Sequence, residues 1–345
     1  MEKRKAHRVG RSSTAVTMPH EWINRNQVNP GDDLYIHESD ESTLVVTTVR
    51  ETSTEGNEKF FDVRSNTPPD HLKRLLIGSY VVGANDVTFT CNNGPLLASQ
   101  LEALNASVGR LSGFLVVEQT DDIFSVHNYL EPTGTLFSEH LHQLLSTTTR
   151  MVGMVPRLLS NPGGSELCRV TSTLGNQSDM LYYLTVRILL ISLSNRRLMI
   201  DLGIDSPQEV VGGRLIAKFL EEICDRVEVL ARLVESSDEG QWEIDETLAK
   251  GMEKRIKHIC ELIEVSVEGY FSGSVALPDS ALQELYDLEC IASTPLLDFI
   301  SKEEDPTIAS VLTGANSLIQ EMGRLTRVIS EVAMNNSLRR TCDYG

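Results

Sequence analysis

The sequence predicts a mainly α protein with a small N-terminal β part, and three observations carry that prediction. Short alternating runs bounded by turn residues fill the first fifty positions. Amphipathic runs of helical period dominate from Pro132 onward, and two of them resemble each other. Leu220-Glu221-Glu222-Ile223-Cys224-Asp225 and Ile319-Gln320-Glu321-Met322-Gly323-Arg324 each sit at the same place in a long helix that closes a block of three. In the first, Glu221 and Asp225 stand four residues apart, so both carboxylates project from one face on successive turns. Gln320 and Arg324 hold the matching positions in the second.

The head opens with Ser12 to Met18, which alternates as a short strand should, followed by a helical turn from Pro19 to Arg25. Asn29-Pro30-Gly31-Asp32 is turn chemistry, since proline presets φ and glycine tolerates a positive one. Strands follow at Leu34 to His37 and Thr43 to Val49, joined by the polar turn Ser39-Asp40-Glu41-Ser42. So short a unit cannot bury much core and is expected to borrow a partner.

Residues 51–131 read as a small α/β linking segment. Phe60 to Val63, Asp86 to Thr90, Gly113 to Glu118 and Ile123 to Asn128 are the expected strands, Pro95 to Leu111 a helix, and Thr67-Pro68-Pro69 a joint. Asn92-Asn93-Gly94-Pro95 is a loop lacking the lysine of a phosphate-cradling P-loop. Six helices are expected beyond it, at 132–159, 165–200, 207–236, 241–272, 277–303 and 307–336, separated by breaks such as Asn161-Pro162-Gly163-Gly164 and Asp238-Glu239-Gly240. Ile216, Phe219, Leu220, Ile223, Val227, Leu230 and Val234 show the period in the third. Two tandem three-helix bundles, 132–236 and 241–336, are the economical architecture.

At 345 residues, two or three domains are the natural prior, and 41% hydrophobic with 23% charged residues is ordinary for a globular protein. Cysteines 91, 168, 224, 260, 290 and 342 form no CxxC pair, which favours reduced thiols in a cytosolic chain. No targeting segment is evident, and the longest apolar stretch, Leu181 to Leu193, is broken by Arg187 and reads as a buried core helix. The net charge of −18 is uneven. Residues 1–30 hold Lys3, Arg4, Lys5, Arg8, Arg11 and Arg25 against Glu2 and Glu21, a net +4 that leaves −22 on the remainder. With screening over about 8 Å at physiological salt, such a head can attract an anion although the whole chain is acidic.

The run Arg8-Val9-Gly10-Arg11-Ser12-Ser13-Thr14-Ala15-Val16-Thr17-Met18-Pro19-His20-Glu21-Trp22, with Pro30-Gly31-Asp32 and the strand after it, resembles AbrB/SpoVT/MazE DNA-binding domains. The resemblance implies a DNA-binding and dimerisation domain over 1–50, in which the hairpins of two chains interleave into one barrel. Lys3, Arg4, Lys5, Arg8 and Arg11 become the candidate DNA contacts. The alternative for Lys3-Arg4-Lys5 is a solubilising tail.

The helical body resembles the PhoU family on Leu220-Glu221-Glu222-Ile223-Cys224-Asp225 and on Asp179-Met180-Leu181-Tyr182-Tyr183-Leu184-Thr185-Val186-Arg187. Glu222 departs from the basic residue usual there, and the second repeat lacks both acids. The two resemblances together imply a cytoplasmic, dimeric regulator of phosphate uptake and homeostasis, dimerised through its head. Its expected partners are promoter DNA and the ATPase or sensor component of a phosphate transporter. The PhoU resemblance also implies a divalent or iron-type metal ion on Asp179, Glu221 and Asp225. The alternative for these acids is a solvated face paired with Lys218 or Arg226. His140 and His142 diverge on their helix, and His258 with Glu261 reads as a solvated pair. No nucleophile elbow, zinc-binding HExxH, Walker or dinucleotide-binding pattern occurs, so no catalytic residue is expected and an enzyme is not. A transporter-directed interaction protein that does not bind DNA and an antitoxin-like repressor are the rival readings.

Overall fold

The computed structural model describes residues 3–11, 13–40, 43–48, 57–131, 134–160, 165–235, 246–291, 297–298 and 300–340. The chain divides into two compact units, Met1–Gly56 and Asn57–Gly345. It is mainly α with a small N-terminal β part, and the described residues form no closed barrel.

The first unit is two hairpins around a short helix. β1 (Ala6–Val9) and β2 (Ser13–Val16) pair antiparallel, with Ala6 opposite Val16 and Val9 opposite Ser13. Gly10 makes the connecting turn at φ +75°, a region open to glycine at little cost. The sequence reading missed β1, because the polar His7 and Arg8 hide its alternation. After α1 (His20–Arg25), the Asn29–Asp32 turn closes twice: Asp32 N–H donates to the Asn29 carbonyl at 3.1 Å, and Asn29 N–H to Asp32 Oδ2 at 2.7 Å. β3 (Tyr35–Asp40) and β4 (Thr43–Thr47) form the second hairpin, which does not pair with the first. Residues 3–11, 13–36 and 43–48 of this unit include no buried residue. Val9, Val16, Ile36 and Leu44 are all more than half exposed.

The second unit opens with β5 (Glu58–Asp62), α2 (Pro69–Val81), β6 (Asp86–Thr90), α3 (Ala98–Val108), β7 (Phe114–Gln119) and β8 (Ile123–Asn128). The sheet order is β5-β6-β8-β7, with only β5 and β6 parallel, joined through α2 as a parallel pair requires. Leu72, Leu76, Tyr80, Val87, Phe89, Leu104, Phe124 and Val126 form its core, all fully buried. α2 corrects the sequence reading, which took Thr67-Pro68-Pro69 for a joint. Pro68 is instead the N-cap and Pro69 the first helical residue, where the missing N–H costs nothing. Leu72, Leu76 and Tyr80 then fall on one buried stripe.

The helical part comprises α4 (Phe137–Val152), α5 (Val155–Ser160), α6 (Ser165–Ser192), α7 (Arg196–Asp201), α8 (Pro207–Glu235), α9 (Glu246–Ser272), α10 (Ala276–Ile291) and α11 (Pro306–Arg340). Two expected helices are each split, at Gly153 and at Asn195, whose side chain accepts from Leu198 N–H and starts α7. α8 packs on α4 and α6, α11 packs on α9 and α10, and α8 and α11 pack on each other. One continuous core therefore runs from Phe137 through Leu220 and Tyr270 to Ala333. The breaks expected at 161–164 and 238–240, together with Glu41, Ser42 and Val49, lie outside the described residues.

Arg187 ties the α/β segment to α6. Its side chain is buried, and it donates to the carbonyls of Tyr80 at 2.6 Å and Ala84 at 2.7 Å, and to Asn85 Oδ1 at 2.8 Å. The guanidinium also lies over the Tyr80 ring, 4.7 Å from its centroid. A cation at the C-terminal end of α2 meets the negative end of that helix's dipole. Thus the charge that breaks the apolar run at 181–193 is met by three acceptors and an aromatic face. Cys91, Cys168, Cys224 and Cys260 are free thiols. No helix among the described residues is long and apolar enough to cross a membrane.

Candidate nucleic-acid interface and metal centre

Two charged constellations stand out, one in each unit. In the first, Lys3, Arg4, Lys5, Arg8 and Arg11 are all exposed. β1 carries Arg8, the turn carries Arg11, and one guanidinium N–H of Arg8 donates to the Arg11 carbonyl at 3.0 Å. That bond spans the hairpin turn and holds the two basic positions at the same end of the β1–β2 ribbon. A guanidinium with five donors spends one on the turn and keeps others for a phosphate or a base edge. Arg25 closes α1, where a cation suits the helix C-terminus.

In the second unit, Asp179 of α6 and Glu221 and Asp225 of α8 bring one carboxylate oxygen each within 4.8 Å of one another. The turn spacing of α8 aligns Glu221 with Asp225, and packing of α6 on α8 adds Asp179. Gly175, one turn before Asp179, allows the close approach, because a β-carbon there would overlap the Glu228 carboxylate. Two cations already answer two of the three acids. Lys218 Nζ lies 2.6 Å from Glu221 Oε2 and 2.7 Å from Glu222 Oε1, and Arg110 Nη1 lies 2.9 Å from Asp179 Oδ2. Arg226 does not join them; it pairs with Glu222 and Glu321.

Burial sets the protonation of this cluster. Glu221 is pushed up to about 7, first by desolvation and then by Asp225 and Asp179, against the hydrogen bond from Lys218. Asp179 is raised by burial, with Arg110 opposing, and Asp225 is raised by burial and by the Asp179 charge. Burial works against the Lys218 charge, but its bonds to Glu221 and Glu222 hold its pKa above the usual lysine range. Three converging carboxylates suit a hard cation, supplying about half of the six or so oxygens such an ion takes. The residues fit a divalent ion completed by water, with Lys218 able to stay on Glu222. Cys224 contributes nothing: its thiol is buried and points to Thr148 Oγ1 at 3.4 Å.

Residues 8–53 match the model of the family described as antidote-toxin recognition MazE, bacterial antitoxin. No curated protein matches the chain. The first unit thus contains a MazE/AbrB-like domain, and its match begins at Arg8 and takes in Arg11, while Lys3, Arg4 and Lys5 precede it. Residues 54–345 lie outside the match.

Sequence reasoning missed Arg110 and Glu228. Arg110 lies 69 residues from Asp179, and no local pattern announces such a pair. Glu228 was legible, since it stands three residues past Asp225 on the same helix and raises the pKa of both Asp179 and Asp225. Half-buried His258 on α9 meets Glu261 of its own helix at 3.6 Å and Glu284 of α10 at 3.1 Å.

Proposed function

We propose that this protein is a cytoplasmic, dimeric DNA-binding transcriptional regulator of phosphate uptake and phosphate homeostasis, and not an enzyme. The observation that carries the DNA-binding part is the MazE match over 8–53 together with Arg8 and Arg11 standing exposed at one end of a hairpin. Dimerisation is supported by the head's lack of any buried residue over 3–11, 13–36 and 43–48: exposed Val9, Val16, Ile36 and Leu44 need a second chain to cover them. The phosphate part rests on the PhoU-like signature at 220–225 and on two successive blocks of long helices, each closed by its longest helix.

In this reading the trunk receives the phosphate signal through the transporter's ATPase or sensor component. Asp179, Glu221 and Asp225 would hold a divalent or iron-type ion, which would supply positive charge to a cluster now offset by Lys218 and Arg110. The signal acts by favouring one arrangement of the protein over another, a coupling of about 1–3 kcal/mol in typical cases. The family's description as an antitoxin favours a second reading, an antitoxin-like repressor.

Promoter affinity measured in cells grown at high and at low phosphate, for the natural chain and for the Arg8→Ala/Arg11→Ala variant, tests the proposal. Affinity that changes with phosphate and disappears in the variant is expected. Equal affinity in all four cases would refute it, and a toxin bound stoichiometrically to residues 8–53 would establish the repressor reading.

A further inference from the structure

The second three-helix block carries a pocket of opposite character to the acidic cluster. A cavity of about 320 Å³ lies between α9, α10 and α11, lined by Arg255, Ile259, Leu285, Ile319, Gln320 and Arg324, with Gly323 at its edge. Gln320 and Arg324 occupy on α11 the positions that Glu221 and Asp225 occupy on α8, so the same helix turn that gathers carboxylates in one block presents a carboxamide and a guanidinium in the other. α9 adds the second guanidinium. Burial lowers the Arg255 pKa, which marks a cation held partly out of water. A β-carbon on Gly323 would meet no atom within 4 Å, so the helix is shaved where the cavity opens.

We propose that this pocket binds a phosphate group, clamped by the Arg255 and Arg324 guanidiniums with the Gln320 amide as a neutral donor. Planar guanidiniums recognise tetrahedral oxyanions through paired N–H donors, which a lysine cannot do. Ile259, Leu285 and Ile319 wall the site with apolar surface, which strengthens charge pairing there relative to open solvent. A cavity of this volume has room beside the phosphate, so inorganic phosphate and the phosphate of a small phosphomonoester are two sources of one chemistry. The pocket stands independently of the transcriptional reading, because it involves no residue of the DNA-binding head.

Calorimetric titration of the full chain with inorganic phosphate and, separately, with a nucleoside monophosphate tests the assignment. Saturable binding near one equivalent per chain is expected for at least one of them, and the tighter of the two identifies the source. Arg324→Gln should weaken it at least tenfold. Arg324 is exposed, so this variant retains its fold, which the thermal midpoint checks. Gly323→Leu should block binding with every guanidinium still present, while Arg8→Ala/Arg11→Ala should leave it unchanged. No saturable binding of either ligand, equal binding in Arg324→Gln, or loss of binding in the head variant would overturn the proposal. DNA retention, measured on the same samples, reports on the regulatory reading separately.

Discussion

The head and the trunk of this chain differ in what each can do alone. The trunk carries a continuous core in which Phe137, Tyr270, Leu220 and Met322 are out of reach of water. In the head, residues 3–11, 13–36 and 43–48 include no buried residue. Because apolar burial is what offsets the entropy of ordering a chain, the trunk has the means to order itself, whereas the head leaves Val9, Val16, Ile36 and Leu44 exposed. The difference also separates the uses of charge. In the trunk Arg187 and Glu209 are buried and serve the fold: Arg340 Nη2 lies 2.7 Å from Glu209 Oε1 and holds the end of α11 to the start of α8. In the head Arg8 and Arg11 face solvent, and only one guanidinium donor is spent on the turn.

The sharpest contrast comes from the core. Tyr270 is fully buried and its hydroxyl donates to the Glu209 carbonyl at 2.6 Å, so Tyr270→Ala should cost about 3–5 kcal/mol in denaturant unfolding. Arg187→Met should come next, at about 3 kcal/mol, because it orphans the Ala84 carbonyl, strips Asn85 Oδ1 of its donor and leaves the Tyr80 carbonyl with the Gly83 N–H alone. A trunk unfolding midpoint unchanged by either would break the comparison from one side. From the other side, Ile36→Asp on the exposed second hairpin should halve the molar mass seen by ultracentrifugation and leave the trunk's unfolding midpoint within about 0.5 kcal/mol of the natural protein.

The smallest effect concerns pH. Glu221 has a folded-state pKa of about 7, above its ordinary value of 4.5, so the folded state holds an extra proton between those limits. Its contribution to stability is complete below about pH 4.5 and is lost as pH rises through 7. In chelator-containing buffer the natural chain should therefore lose stability over that window relative to Glu221→Gln. Parallel pH profiles of the thermal midpoint would show that the cluster does not hold that proton.

Much of this was legible in the sequence where the signal is local. The stripe from Ile216 to Val234 announces α8, and the i to i+4 spacing of Glu221 and Asp225 places their carboxylates together. Lys218, three residues before Glu221 on the same helix, sits on its carboxylate. What escaped depended on contacts between distant segments or on ambiguous local chemistry. Arg110 reaches Asp179 through the tertiary fold alone, and β1 exists only because β2 pairs with it. Pro68-Pro69 fits a linker as well as a helix start, and only the burial of Leu72, Leu76 and Tyr80 distinguishes the two.

The central claim is that the exposed basic end of the first hairpin holds nucleic acid. Fluorescence anisotropy of the full-length protein with duplex DNA, taken over a series of salt concentrations, tests it most directly. The account predicts a logarithmic affinity that falls with log salt, and a slope reduced by about 4 in Arg8→Ala/Arg11→Ala if both arginines of two chains neutralise phosphates. No retention of DNA at low salt, or an identical slope in the variant, would contradict it.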